Sequence, residues 1–192
     1  MKVVKDLMVP AGECGSVQQD MTLGEAIRTL NLPHDWQIAH SKSAKYPTLL
    51  VLDKDHRAVG KLGHTDIVVS MDPVFRGRQG RENIAHTATA GLSPALLKSL
   101  TQRYSLWSGY FEERCHEVLS LKVKDCMCLP GEENSLLESD FLEVAIHKLA
   151  AGNHQTLLVT SEAGIVGILR MSDLFDQIIR ECQHRNEQDT GP

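Results

Sequence analysis

The sequence has no apolar run long enough to cross a bilayer. In 192 residues the apolar stretches, such as Leu49–Leu52, are only a few residues long, against the about 20 that a spanning helix needs. No membrane partner is expected. A basic excess is missing too: 20 Lys and Arg face 25 Asp and Glu, a net charge of −5 with neutral histidines. Non-specific nucleic-acid binding runs on surplus positive charge, so no nucleic-acid partner is expected. The start, Met1-Lys2-Val3-Val4-Lys5-Asp6, lacks the apolar core of a secretory signal. The cysteines are five, an odd number at irregular spacing: Cys14, Cys115, Cys126, Cys128 and Cys182. Reduced thiols and a cytoplasmic address are the expectation, not a disulfide framework. Enzymatic signatures are absent as well. There is no Gly-x-Ser-x-Gly elbow, no dinucleotide fingerprint, no phosphate loop with its lysine and no metalloprotease histidine pair. The chain is not expected to be an enzyme. With 42% hydrophobic and 23% charged residues it is still ordinary globular material.

What is present is an internal repeat. Val4-Lys5-Asp6-Leu7-Met8 returns as Val123-Lys124-Asp125-Cys126-Met127, 119 positions later. The same offset carries Ser16-Val17 onto Ser135-Leu136. It also carries Leu23, Ala26, Ile27 and Leu30 onto Leu142, Ala145, Ile146 and Leu149. The i, i+3, i+4, i+7 spacing predicts a helix with one buried face in each copy. Thr22 with Glu25 predicts a capping box for the first helix, and Asp140 with Glu143 a cap for the second. The offset then falls to 107: Leu50-Val51-Leu52 matches Leu157-Leu158-Val159, Gly60 matches Gly167, and Asp66 matches Asp173. The first copy therefore carries about twelve extra residues near 31–45. Each copy reads as short strand, helix, apolar strand, turn, strand and helix, with Thr65 and Ser172 as N-cap residue types for the last helix.

The two Val-Lys-Asp-x-Met openings, and the two endings Gly60 to Ile67 and Gly167 to Leu174, resemble the CBS (cystathionine β-synthase) domain. The pair is similar to a Bateman module. The resemblance covers 1–71 (repeat 1) and 121–182 (repeat 2). A helical inter-repeat segment, 72–120, lies between them, and 183–192 is a polar tail. It implies an α/β (α+β) fold of two β-α-β-β-α repeats packed around a pseudo-two-fold axis, and a homodimer. It also implies an adenosine-containing ligand between the repeats: AMP, ADP, ATP or S-adenosylmethionine. The implied function is regulatory, signalling ligand to a protein target; no metal is expected.

The resemblance assigns roles to particular residues. Asp66 and Asp173 would accept the two ribose hydroxyls, as a carboxylate can accept one O–H at each oxygen. Phosphates would lie near a helix N-terminus, where unpaired N–H groups favour anions. Val9-Pro10 and Cys128-Leu129-Pro130 would flank the adenine. The rival reading for each Asp is that it stands directly after an N-cap residue because the helix dipole alone favours a negative charge there, by about 0.3–1 kcal/mol. The family's phosphate-binding Ser/Thr is here Gly63 in copy one and Arg170 in copy two. Gly63 removes a donor. Arg170 either offers a guanidinium to phosphate or fills the site. His64, next to Thr65, is either a polar contact or a surface residue. Asp173, Arg170 and Ser172 thus form the favoured site, and the two sites are expected to differ.

The inter-repeat segment departs most from the family. Arg76 to Arg81 is a basic, glycine-bearing loop. Ser93-Pro94 then opens a predicted helix over 94–119, with Leu97, Leu100, Tyr104, Trp107, Phe111, Cys115 and Val118 as an apolar stripe. That stripe either packs within the protein or docks a partner, which is the alternative function: an interaction module whose ligand sites are degenerate. Cys115-His116 and Cys126-x-Cys128 carry metal-ligand residue types, but not the usual Cys-x2-Cys spacing. The polar tail from Gln183 is expected to fray.

Overall fold

The computed structural model describes residues 2–30, 48–72, 111–152 and 154–189. The insertion near 31–45, the Arg76–Arg81 loop and the Leu97–Trp107 part of the predicted helix lie outside them. Seven strands and six α-helices are described, with short 3-10 helices at Val4–Asp6 and Ala11–Glu13. The strands are β1 (Val9–Pro10), β2 (Ser16–Gln18), β3 (Leu49–Leu52), β4 (Ala58–Leu62), β5 (Ser135–Leu137), β6 (Thr156–Ser161) and β7 (Gly164–Arg170). The helices are α1 (Leu23–Leu30), α2 (His64–Ser70), α3 (Phe111–Ser120), α4 (Val123–Cys126), α5 (Leu142–Ala151) and α6 (Met171–Asp189).

The chain divides into two compact units that do not follow the bounds of the copies. One unit takes the described residues of Met1–Cys14 and Pro130–Pro192, the other those of Gly15–Pro33 and Tyr46–Leu129. Compared with repeats bounded at 1–71 and 121–182, the openings are exchanged. Each Val-Lys-Asp-x-Met segment folds against the other copy's sheet.

In the unit built around the first copy, the sheet order is β2-β3-β4. β2 runs parallel to β3 and β3 antiparallel to β4. Period-2 apolar residues of these strands meet the α1 stripe: Val17, Leu49, Val51 and Leu62 bury with Leu23 and Ala26. Val118 of α3 and Val123 and Cys126 of α4 complete that core. The capping box is formed, since Glu25 Oε2 accepts the Thr22 N–H at 2.7 Å and Thr22 Oγ1 accepts the Glu25 N–H at 3.3 Å. The β3–β4 turn is held by Asp53, whose Oδ1 accepts N–H groups of Asp55 and Arg57, both at 2.9 Å.

In the other unit the order is β1-β7-β6-β5, with β5 parallel to β6 and the other pairings antiparallel. Leu136, Leu157, Val159 and Leu169 bury against Ala145 and Leu149 of α5 and Leu174 of α6, and Val4 of the exchanged opening joins them. The Val4 N–H donates to Asp140 O at 2.8 Å and the Lys5 N–H to Glu138 O at 3.0 Å, fixing that opening in place.

Three local expectations are corrected. Asp140 does not cap α5: Phe141 is the N-cap residue, and Asp140 Oδ2 instead accepts the Leu137 N–H at 2.8 Å, closing the turn after β5. Thr65 and Ser172 are not N-caps either, because α2 begins at His64 and α6 at Met171. Asp66, three residues past Gly63, reaches back to the Gly63 N–H and starts the helix earlier. The tail does not fray at Gln183, since α6 continues to Asp189. Polarity there is not helix-breaking: Glu, Gln and Arg are good helix formers, Gln177 donates to Glu181 one turn on at 2.7 Å, and no Gly or Pro intervenes before Gly191.

Candidate functional site

The site residues of the second copy stand where β7 passes into α6. Arg170 is the last residue of β7, and Ser172 and Asp173 lie in the first turn of α6. The exchanged opening brings β1 alongside: Val9 pairs with Ile168 and Pro10 with Gly167. Gly167 is what permits that approach, because a Cβ there would collide with the Val9 carbonyl and lie 3.3 Å from Pro10 Cα. So Val9 and Pro10, from copy one, share a unit with Arg170, Ser172 and Asp173, from copy two.

Asp173 and Arg170 bind each other. Arg170 Nε donates to Asp173 Oδ2 at 2.6 Å and Nη2 to Oδ1 at 2.7 Å. This is the fork geometry in which guanidinium and carboxylate match best. Both side chains are largely buried, with 17% and 15% exposure. Neither sequence alternative for Arg170 described this arrangement, in which the arginine takes the carboxylate assigned to ribose. The i, i+3 spacing of the pair was the signal that could have revealed it.

Cys14 is a neighbour that sequence reasoning missed. Its Sγ lies 3.4 Å from Pro10 O. Burial pushes its thiol up to about 11, while the positive charge of Arg170 pulls the other way. It is therefore a protonated thiol at neutral pH, not a nucleophile. Its position four residues after Pro10, just past the β1 segment, could have suggested the proximity.

The first copy's residues form the matching arrangement in the other unit. Cys128 exchanges backbone hydrogen bonds with Lys61, its N–H donating to Lys61 O at 2.8 Å and its O accepting the Lys61 N–H at 2.9 Å. Gly60 is again required, as a Cβ would come within 2.6 Å of Cys128 O. Asp66 is buried at 9% exposure, and its Oδ2 accepts the Gly63 N–H at 2.8 Å. His64 and Thr65 are exposed, and Leu129 and Pro130 are exposed as well. The structure therefore groups Cys128 with Gly63, His64, Thr65 and Asp66, and Val9-Pro10 with the Asp173 set. Pro130 falls in the unit of the second copy.

No group of three or more His, Cys, Asp or Glu suited to a metal ion occurs among the described residues. Cys126 is buried in the apolar core of the unit built around the first copy. Among the described residues no helix is long and apolar enough to cross a membrane.

Comparison with known proteins agrees with this architecture. Residues 132–180 match the CBS domain family. No curated protein matches the chain. Among solved structures, CBSX2 in complex with AMP shares 16% identity, with 94% of this chain and 98% of that one covered and a TM-score of 0.53. A CBS domain-containing protein of unknown function from Bacillus anthracis shares 16%, with 94% of each chain covered and a TM-score of 0.55. A conserved CBS domain protein from Thermoplasma acidophilum shares 14%, with 91% of this chain and 68% of that one covered and a TM-score of 0.54. At such identities the likeness is one of fold, and the fold is the mixed α and β architecture of CBS-domain proteins. The CBS sequence pattern itself is matched over residues 132–180 of this chain. The second copy thus carries the family's sequence pattern, and the two sheets with exchanged openings are consistent with a tandem, Bateman-type module.

Proposed function

We propose that this protein is a regulatory, non-catalytic module that binds an adenosine compound (AMP, ADP, ATP or S-adenosylmethionine) and signals its presence to a protein partner. The observation that carries the reading is the exchange of openings. It sets Val9 and Pro10 on the strand next to the one that ends at Arg170, just before Ser172 and Asp173. An apolar flank for a base and a carboxylate for a ribose thereby come into one unit. The residues fit such a ligand. A carboxylate has about four acceptor positions, and Arg170 occupies one on each oxygen of Asp173, so a vicinal diol would share the carboxylate with the guanidinium or displace it. Asp66, with Gly63 in place of a hydroxyl donor, offers the weaker site. Signalling would be a population shift, which requires the ligand to bind one arrangement of the module better than another. A homodimer belongs to this reading, supported by the exposed apolar residues Phe175, Ile178 and Ile179 on α6.

The test is thermal unfolding and calorimetric titration against those four compounds. Ligand at 100 times its dissociation constant adds about 2.7 kcal/mol. Asp173→Ala should remove more of the binding than Asp66→Ala. Equal losses would defeat the asymmetry, and no binding by any of the four would defeat the sensor reading.

One observation favours a second reading. Both carboxylates already have donors within the chain, the Arg170 guanidinium and the Gly63 N–H. If these are permanent partners, the sites are degenerate and the protein is an interaction module that uses the helix predicted from the sequence over 94–119. Capture of its partner would then depend on that helix and not on nucleotide.

A further inference from the structure

Arg170 stands three residues before Asp173 and holds its carboxylate through both arms of its fork. The ion pair is largely buried, so its partners cannot exchange it for bulk water at no cost. In the first copy the matched position is Gly63, which has no side chain, and Asp66 Oδ2 accepts the Gly63 N–H. Any ligand that places hydroxyls on Asp173 must therefore share or displace a guanidinium. An uncharged nucleoside offers that guanidinium no replacement, whereas a phosphate offers it another bidentate acceptor.

We propose that Arg170 is a built-in competitor for Asp173 that makes this site select phosphorylated adenosine ligands over the free nucleoside. This rests on the adenosine-binding reading above. On it, Arg170 sets specificity through exchange of partners: it holds Asp173 while the site is free of ligand and turns to phosphate when a nucleotide takes the carboxylate.

The experiment is calorimetric titration of the full chain with AMP and with adenosine, in the wild type, Arg170→Ala and Arg170→Lys, each first shown to unfold cooperatively. The wild type should prefer AMP by on the order of tenfold or more. Arg170→Ala should bring the ratio to within a few-fold, weakening AMP while leaving adenosine equal or tighter. Arg170→Lys keeps the charge without the fork, so it should fall between the two; it decides the matter if the alanine variant does not fold. If Arg170→Ala weakens both ligands alike, or leaves the ratio unchanged, Arg170 is a structural partner of Asp173 and the inference is overturned while the binding site stands. If the folded wild type binds neither AMP nor adenosine, the adenosine-binding reading itself fails and this inference falls with it.

Discussion

Gly167→Ala puts the exchange of openings to a test that needs no ligand. The added methyl would meet three backbone atoms of the crossing strand: the Val9 carbonyl oxygen, Val9 C at 3.2 Å and Pro10 Cα at 3.3 Å. None belongs to a side chain that can rotate away. β1 must then move off β7 or the sheet must distort. Forcing extra volume into a packed site costs about 1–3 kcal/mol. Replacing glycine also stiffens the unfolded chain, which returns about 0.4–1 kcal/mol. Contacts this close with three fixed backbone atoms put the cost at the upper end, about 2–3 kcal/mol, so the net loss is about 1–2.6 kcal/mol. At about 2–4 °C per kcal/mol for a chain of this size, the melting temperature should fall by roughly 2–10 °C. Gly12→Ala is the control, since nothing lies within 4 Å of its Cβ. Thermal denaturation gives the magnitude, and amide exchange at β7 locates the damage. If Gly167→Ala melts with Gly12→Ala and β7 stays protected, the opening does not lie against β7, and the grouping of Val9 and Pro10 with Asp173 is wrong.

Other perturbations probe the remaining parts. Gly63→Ala should be neutral or slightly stabilising in a melt, because its Cβ would have its nearest neighbours at a comfortable 3.6 Å and its φ of −117° suits any residue; a loss above about 1 kcal/mol would mean that the turn into α2 needs glycine after all. Thr22→Ala removes one half of a formed capping box and should cost about 1 kcal/mol by chemical denaturation. Leu157→Ala opens a cavity in a fully buried position and should cost about 2–5 kcal/mol. Cys14 should resist alkylation at pH 8 in the folded protein and react readily on unfolding, whereas the exposed Cys182 reacts in both states. Since folding raises the Cys14 thiol from 9.0 to about 11, the stability it contributes is fully present below about pH 9 and is lost as pH rises through about 11. Cys14→Ala should flatten that alkaline decline in a pH series of melts.

Much of the fold was legible because the repeat is carried by residues that packing cannot spare. Leu23 and Ala26, and Ala145 and Leu149, are buried where their helical spacing puts them. The β3–β4 and β6–β7 pairs follow from apolar runs around short turns. What was not legible was long-range: nothing in Val4-Lys5-Asp6 says which sheet it will join. The clue lay in the glycines. Gly60 and Gly167 read as markers of the repeat, yet the structure makes them points where a foreign strand passes close. The helix starts were misplaced for a local reason. Thr65 and Ser172 are good cap types, but carboxylates one residue later bind backwards, to the Gly63 N–H and to Arg170.

That backward reach is also why two similar copies make dissimilar sites. Position i−3 from each aspartate decides what its carboxylate meets in the absence of ligand. With glycine at that position there is no side chain for the carboxylate to meet there, and Asp66 accepts the Gly63 N–H at the start of its helix. With arginine, the donor is a side chain carrying a full charge, and Asp173 becomes half of a largely buried ion pair. The surrounding frame is common to both: strand, close-approach glycine, exchanged opening and first helical turn. The matched position thus separates the two carboxylates: with Gly63 the contact is a backbone N–H at a helix start, and with Arg170 it is a forked ion pair.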